Sequence, residues 1–233
     1  MKPKKIFIDY VPMALAAVLI IIFAFIKEQS FFKTLPTLVT LIVQILLVRA
    51  NRYAFLLGGV NSAIYGAVYL TEGLYFSAVS ALAISAPIQI YSFFNWSRKK
   101  NASGDTRLKT LGIKHLCFVI GVILSGWALC YFGLAVFFRT ATYPVFDTLQ
   151  FTIGVVVSFL AAFRYVESQH INIVNCASAV TMWTLICVGN PSNINYLIIS
   201  CYNLFMVAKA AVSWTRKYKV QKCETGDKRK GDI

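Results

Sequence analysis

Amide side chains recur inside the long apolar stretches of this chain, where a polar group is costly to bury. Aromatic side chains accompany them, and the combined set is Gln44, Asn61, Gln89, Gln150, Asn175 and Asn203 with Tyr65, Tyr69, Tyr91, Trp183 and Tyr202. An amide donates and accepts hydrogen bonds, and an aromatic ring offers a flat face. Together these groups can bind a heterocycle that carries hydroxyl or carboxamide groups.

The charge expected of such a ligand follows from the near absence of charged side chains in the centres of the same stretches. An aromatic face also attracts a positively charged ring. A neutral or cationic heterocycle bearing a sugar or alcohol is therefore favoured over an anion. The alternative is that the amides only join neighbouring helices, at about 1–2 kcal/mol or less for each hydrogen bond.

Acidic residues bear on the energy source of a carrier. Proton- or sodium-driven carriers usually have a carboxylate near the membrane midplane. All nine acidic residues here fall at the ends of apolar stretches, in connections or in the tail, and Asp147 is the nearest to a helix interior. The sequence contains no GxxxxGK[ST] loop for ATP hydrolysis. We therefore expect facilitated diffusion.

Catalysis, metal binding and nucleic-acid binding are not indicated. The sequence contains no GxSxG or HExxH motif, and its six cysteines show no CxxC or Cys/His ligand spacing. We expect no catalytic residue, no metal and no cofactor. The net charge of +14 comes from short basic runs between apolar stretches, which favours membrane lipids over nucleic acid as the partner.

Long apolar stretches must hold these side chains. The chain is 58% hydrophobic and 14% charged, whereas a soluble domain carries about a quarter charged residues. Since roughly 20 apolar residues cross the hydrocarbon core, the sequence predicts an all-α integral membrane protein with about eight transmembrane helices. They are expected at 6–27, 34–50, 53–71, 74–95, 111–137, 145–164, 170–189 and 194–214.

Basic residues predict the orientation of these helices. If both termini are cytoplasmic, 19 of the 23 Lys and Arg residues lie on the inner side and three, among them Arg139, on the outer side, while Lys209 falls within the last helix. The positive-inside rule therefore predicts two cytoplasmic termini in a multi-pass protein of the cell inner membrane.

A weak internal repeat divides the chain. Arg49, Asn61 and Trp96 follow one another in the first set of three helices, and Arg164, Asn175 and Trp214 in the second. One helix separates the sets, so both run in the same direction, as in SWEET-like 3+1+3 carriers. We expect an N-terminal transmembrane helix (1–30), a first three-helix bundle (31–96), a cytoplasmic loop and linker helix (97–137), a second bundle (138–214) and a basic cytoplasmic tail (215–233). Trp96 and Trp214 are interpreted as anchors at the inner membrane interface.

Two groups of motifs resemble the PnuC-type vitamin transporters. The first comprises Asn61, Tyr65, Tyr69, Gly73-Leu74-Tyr75, Pro87-Ile88-Gln89 and Asn95-Trp96; the second comprises Asp147 to Gln150, Arg164, Glu167, Asn175, Tyr202-Asn203 and Trp214. The resemblance extends from about residue 30 to 215. It departs from the family at Glu167 to Asn172, where members commonly carry tryptophans, so the exact vitamin stays open.

This resemblance implies facilitated diffusion of a vitamin precursor, with nicotinamide riboside first and thiamine, riboflavin or a nucleoside as alternatives. It also implies a homotrimer and a cytoplasmic kinase that traps the substrate. The substrate site is expected between the two bundles, at Gln89, Gln150, Asn175, Trp183, Tyr202 and Asn203. A rise of about 1.5 Å per residue separates Asn175 from Trp183 by about 12 Å along their helix, so that helix can present an amide and an aromatic face to opposite ends of a substrate.

Two functions of other classes compete with a carrier: a non-transporting receptor or scaffold, and a small membrane-embedded transferase. A receptor should couple to a signalling domain, and the basic tail after Trp214 is too short to form one. A transferase needs acid–base groups that the helix centres lack. The sequence therefore predicts a carrier and no enzyme.

Overall fold

The computed structural model describes residues 3–98, 106–137 and 143–230, with side chains described for 10–97, 106–133 and 143–223. These residues form nine α-helices: α1 Pro3–Ile26, α2 Phe31–Val48, α3 Tyr53–Thr71, α4 Tyr75–Val79, α5 Ala86–Arg98, α6 Ile113–Phe137, α7 Pro144–Ala162, α8 Glu167–Gly189 and α9 Ile194–Lys230. A π-helical turn, Ser80–Ser85, joins α4 to α5, and a 3₁₀ turn, Pro191–Asn193, precedes α9.

Helix positions agree with the predicted crossings to within a few residues at most ends. Seven stretches are long and apolar enough to cross a membrane: Phe31–Val48, Tyr53–Thr71, Tyr75–Ser97, Ile113–Gly133, Pro144–Ala162, Glu167–Gly189 and Pro191–Cys223. The apolar part of α1, Tyr10–Ile26, is shorter. An all-α, multi-pass membrane architecture is confirmed for the described residues, and the count of eight crossings stays a prediction.

Some predictions fall on residues 1–2, 99–105, 138–142 and 231–233, which lie outside the described residues. They include the position of Arg139 and most of the basic loop that follows α5.

The crossing at Tyr75–Ser97 is irregular in its middle. Pro87 lacks an N–H group, and its ring conflicts with the preceding helical turn. The π-helical turn Ser80–Ser85 ends two residues before this proline. Such turns frequently occur at functional sites.

The last helix is longer than predicted. The crossing was expected to end at residue 214, but α9 continues to Lys230, through a segment that contains no proline. Lys217 Nζ donates to the Arg49 carbonyl at 2.9 Å, and the Gln221 side chain bonds to the backbone of Thr106 and Leu108 at 2.9 and 3.0 Å. The segment predicted as a tail is therefore helical as far as it is described, and its first part packs on the protein.

Six crossings form a ring. Along it, α2 packs on α3, α3 on α5, α5 on α7, α7 on α8, α8 on α9, and α9 back on α2. Helix α1 packs outside the ring against α2 and α9, and α6 packs outside it against α7. We call the end of the ring with the α3–α4 turn the Glu72 end and the end with the α7–α8 turn the Arg164 end.

Hydrogen bonds at the Arg164 end join the two sets of helices. Trp96 on α5 donates its indole N–H to the Ala161 carbonyl of α7 at 3.0 Å, and Trp214 on α9 donates to the Leu47 carbonyl of α2 at 2.9 Å. Both indoles are fully buried, and their ring centroids are 5.3 Å apart. The interpretation of Trp96 and Trp214 as interface anchors is therefore wrong, because these side chains pack inside the protein.

Hydrogen bonds at the Glu72 end follow the same pattern. The backbone N–H groups of Phe76 and Ser77, which begin α4, donate to the Asp147 carboxyl oxygens of α7 at 3.1 and 2.9 Å. Near the start of α9, the Tyr196 hydroxyl donates to the Lys33 carbonyl of α2 at 3.1 Å. At both ends, the third crossing of each set is thus bonded to the first helix of the other set.

Candidate functional site

A cavity of about 330 Å³ lies inside the ring of helices and is lined by residues from α2, α3, α5, α7, α8 and α9. This volume falls within the range of about 300–1,000 Å³ that small-molecule sites occupy. Since both sets of helices contribute to its wall, the cavity lies where the sequence predicts the substrate site, between the two bundles.

Aromatic side chains form the wall of the cavity toward the Glu72 end. The rings of Trp183 and Tyr196 stack with centroids 4.6 Å apart, and those of Tyr65 and Tyr69 stack at 5.6 Å. The Tyr69 and Trp183 rings lie 6.5 Å apart at an angle of 29°. Trp183 and Tyr196 are almost fully buried, and the stacked rings of this wall are suited to a flat heterocycle.

Amide side chains form much of the remaining wall. Five of them have a carbonyl oxygen that is shielded from solvent and has no hydrogen-bond partner among the described residues: Gln44, Asn61, Gln169, Asn175 and Asn203. A buried acceptor without a partner costs about 1–3 kcal/mol. Because these five amides belong to residues that line one cavity, a ligand with several hydrogen-bond donors can give their oxygens partners when the side chains turn toward it.

Asn61 has the best-defined orientation of these five amides. Its side-chain nitrogen donates to the Pro36 carbonyl at 3.1 Å and to the Thr40 hydroxyl oxygen at 2.8 Å, both on α2. The Thr40 hydroxyl lies 3.3 Å from that of Tyr65. These contacts fix which end of the amide is the unpartnered oxygen.

Gln89 on α5 is held against α3. Its Nε2 donates to Ser62 Oγ at 2.7 Å. Its Oε1 lies where a side chain on Gly58 would begin, since a Cβ at Gly58 would be only 2.1 Å away. Gly58 and Ser62 also line the cavity, so α3 fixes the Gln89 amide at the cavity wall.

Five of the six predicted site residues line this cavity: Gln89, Gln150, Asn175, Trp183 and Asn203. Tyr202 does not. It is buried in the core between α9 and α2, where its hydroxyl donates to the Leu41 carbonyl at 3.3 Å. The cavity thus brings together most of the predicted site, and substrate contact by these residues stays a prediction.

Other lining residues were not in the predicted site. Asn61, Gln44, Tyr65 and Tyr69 were noted as intramembrane polar or aromatic residues, and the structure adds Gln169, Asn172 and Tyr196. The repeat contained a usable signal: Asn61 and Tyr69 have the same eight-residue spacing as Asn175 and Trp183. The second helix of each set therefore lines the cavity with an amide and an aromatic ring.

Charged side chains are absent from the cavity lining in the part of the chain that the structure describes. Asp147 is fully buried outside it and accepts hydrogen bonds from the start of α4, so it caps that helix. Glu72 is bonded to Lys33 Nζ at 2.7 Å and to Asn193 Nδ2 at 2.9 Å. Both acidic side chains thus have structural partners.

A buried arginine, Arg164, lies at the Arg164 end of the ring. Arg164 is 6% exposed, in a turn with a φ of 68°. Burial lowers the pKa of its guanidinium, and the nearby Arg107 lowers that pKa further. Neither residue lines the cavity, so the charge is not available to a ligand inside it.

Comparisons with known proteins identify a family and a similar fold. The model of the nicotinamide mononucleotide transporter family matches residues 30–216. The crystal structure of the vitamin B3 transporter PnuC has a similar fold, with a TM-score of 0.78 and 16% sequence identity over 91% of this chain and 92% of that chain. A search of curated proteins finds no match.

Proposed function

Because this chain belongs to the nicotinamide mononucleotide transporter family, we propose that it carries nicotinamide riboside across the cytoplasmic membrane by facilitated diffusion. The family membership confirms the resemblance found in the sequence. A membrane transporter of the vitamin B3 class is the coarser conclusion, and the choice of riboside and of a passive mechanism rests on the cavity.

The observation that carries this proposal is the set of cavity amides with unpartnered carbonyl oxygens. Ribose hydroxyls and a carboxamide N–H can donate hydrogen bonds to such oxygens when the amides turn toward the ligand. The aromatic wall at Tyr69 and Trp183 suits a flat pyridinium ring, and aromatic faces attract cations. A cationic ring bearing a sugar therefore matches both parts of the wall.

The cavity favours the riboside over the mononucleotide. A phosphate group is usually held by Arg, Lys or several backbone N–H groups. Among the described residues, no Arg, Lys or His lines this cavity. A phosphorylated ligand would lose its hydration without gaining a cationic partner, at a cost of several kcal/mol.

The wall also supports one orientation of the substrate. The aromatic cluster lies toward the Glu72 end, and Asn61 and Asn175 lie eight residues, about 12 Å, further toward the Arg164 end. The heterocycle would then face the Glu72 end and the ribose the Arg164 end. If the termini are cytoplasmic, the ribose hydroxyls face the cytoplasm, where the kinase implied by the resemblance would act.

Passive transport is supported by the positions of the acidic residues. No acidic side chain lines the cavity among the described residues, and Asp147 is engaged as a helix cap.

We also propose the parallel 3+1+3 architecture with eight crossings, with boundaries near residues 30, 96, 137 and 214. The paired indole bonds of Trp96 and Trp214 support it, because they relate the two sets by the same contact. A homotrimer remains an expectation from the resemblance.

Uptake into liposomes tests the proposed function. We expect purified protein to equilibrate labelled nicotinamide riboside without concentrating it, and to show counterflow when unlabelled riboside is loaded inside. Nicotinamide mononucleotide should not compete. A thermal-shift screen of the purified protein compares nicotinamide riboside with thiamine, riboflavin and nucleosides, since stabilisation by one of these alternatives alone would reassign the substrate. A protein that binds a vitamin but never moves it would be a receptor or scaffold.

A further inference from the structure

Gly58 stands out among the described glycines. The Cβ of an alanine there would lie 2.1 Å from Gln89 Oε1 and 3.3 Å from Gln89 Cδ, the shortest such approach in the described part of the chain. Atoms that are not bonded to each other cannot approach so closely. The position of the Gln89 amide therefore depends on residue 58 having no side chain.

Ser62 completes this arrangement one helical turn further along α3. The Gln89 nitrogen donates to Ser62 Oγ at 2.7 Å, so the nitrogen faces Ser62 and the oxygen faces Gly58. Residues i and i+4 lie on the same face of a helix. The Gln89 oxygen thus lies beside Gly58 and its nitrogen beside Ser62. Gln89, Gly58 and Ser62 all line the cavity.

We propose that Gly58 and Ser62 are positioning residues, which together hold the Gln89 amide flat against α3 and leave room for the substrate. This inference rests on the proposed function. A side chain at position 58 would push the Gln89 amide off α3, break its bond to Ser62 and change the space for a ligand. By the match of Asn61 with Asn175, the position equivalent to Gly58 is Asn172, so the second set of helices has no glycine at the matching position.

The test measures nicotinamide riboside binding by calorimetry with Gly58→Ala. We expect about 2- to 13-fold weaker binding, the effect of losing one net hydrogen bond. Gly121→Ala is the matched control, because Gly121 lies on α6 outside the cavity and a Cβ there meets nothing within 4 Å. Its affinity should stay within about twofold of the wild type.

Double variants separate positioning from general damage. The Gly58→Ala/Gln89→Ala protein should bind like Gln89→Ala, because the clashing side chain is gone. The inference would be overturned if Gly58→Ala weakened riboside binding by the same factor in the wild type and in the Gln89→Ala protein. It would also be overturned if the Gly58→Ala protein bound the riboside with wild-type affinity. If Gly58→Ala does not fold, Ser62→Ala provides the same non-additivity test. Absence of binding by the wild type would instead overturn the proposed function.

Discussion

A conservative substitution of Asp147 can show whether this residue caps a helix or couples transport to an ion. Its two carboxyl oxygens accept hydrogen bonds from the Phe76 and Ser77 backbone and from the Ser77 hydroxyl. In Asp147→Asn, an NH₂ group replaces one oxygen and faces a donor. One buried donor then loses its partner, which costs about 1–3 kcal/mol. We expect a lower thermal unfolding midpoint in detergent.

Thr148→Val is the matched control for this substitution. Thr148 is equally buried on α7, but its hydroxyl bonds to the Pro144 carbonyl of the same helix at 2.7 Å, so its loss should cost less than Asp147→Asn. An Asp147→Asn protein as stable as the wild type would refute the capping role. Liposome uptake distinguishes the alternative: accumulation driven by a proton or sodium gradient in the wild type, and lost in Asp147→Asn, would identify Asp147 as a coupling site.

Three further outcomes are expected. Asn175→Ala and Trp183→Ala should each weaken substrate binding by about 5- to 150-fold in calorimetry; unchanged affinity in both would identify the amides as helix-joining groups. Asn95→Ala should lower thermal stability but not affinity, because Asn95 donates to the Ala162 carbonyl at 2.8 Å and does not line the cavity. With a cytoplasmic C-terminus, the exposed Cys223 should resist an impermeant thiol reagent in intact cells and react after lysis; labelling in intact cells would invert the proposed topology.

Helix positions were predictable because hydrophobicity alone determines where a chain can cross a bilayer. The faces that these helices turn inward were harder to predict. Tyr202 and Asn203 are adjacent on α9, about 100° apart around the helix axis. Asn203 lines the cavity while Tyr202 faces α2. Within the predicted crossing at 194–214, apolar residues lie on every side of α9, so the sequence does not mark one face as the inner one.

The buried tryptophans illustrate a second limit. Trp96 and Trp214 end their predicted crossings next to basic residues, which is the pattern of an interface anchor. Their burial depends on backbone carbonyls of helices distant in sequence, and no local pattern reports this. The extension of α9 beyond Trp214 is similar, since it packs against the turn after α2 and the segment at 106–110.

Asn61 was noted in the sequence but left out of the predicted site. Its role at the cavity wall depends on Pro36 and Thr40, which lie on another helix and fix its amide. The repeat alone would have included it, because Asn61 corresponds to Asn175. Internal repeats can therefore extend a predicted site from one half of a protein to the other.

The hydrogen bonds that join the two sets of helices at each end of the ring affect the leakage of ions through the protein. Separating the sets at the Arg164 end breaks the bonds of Trp96 and Trp214, and separating them at the Glu72 end breaks those of Asp147 and Tyr196. At about 1 kcal/mol for each bond, opening either end alone is a modest cost. Opening both together adds the two costs, so the populations multiply and a continuous pore becomes rarer than either half-open form. The same bonds that build the fold would thus keep ions from passing while a vitamin is carried.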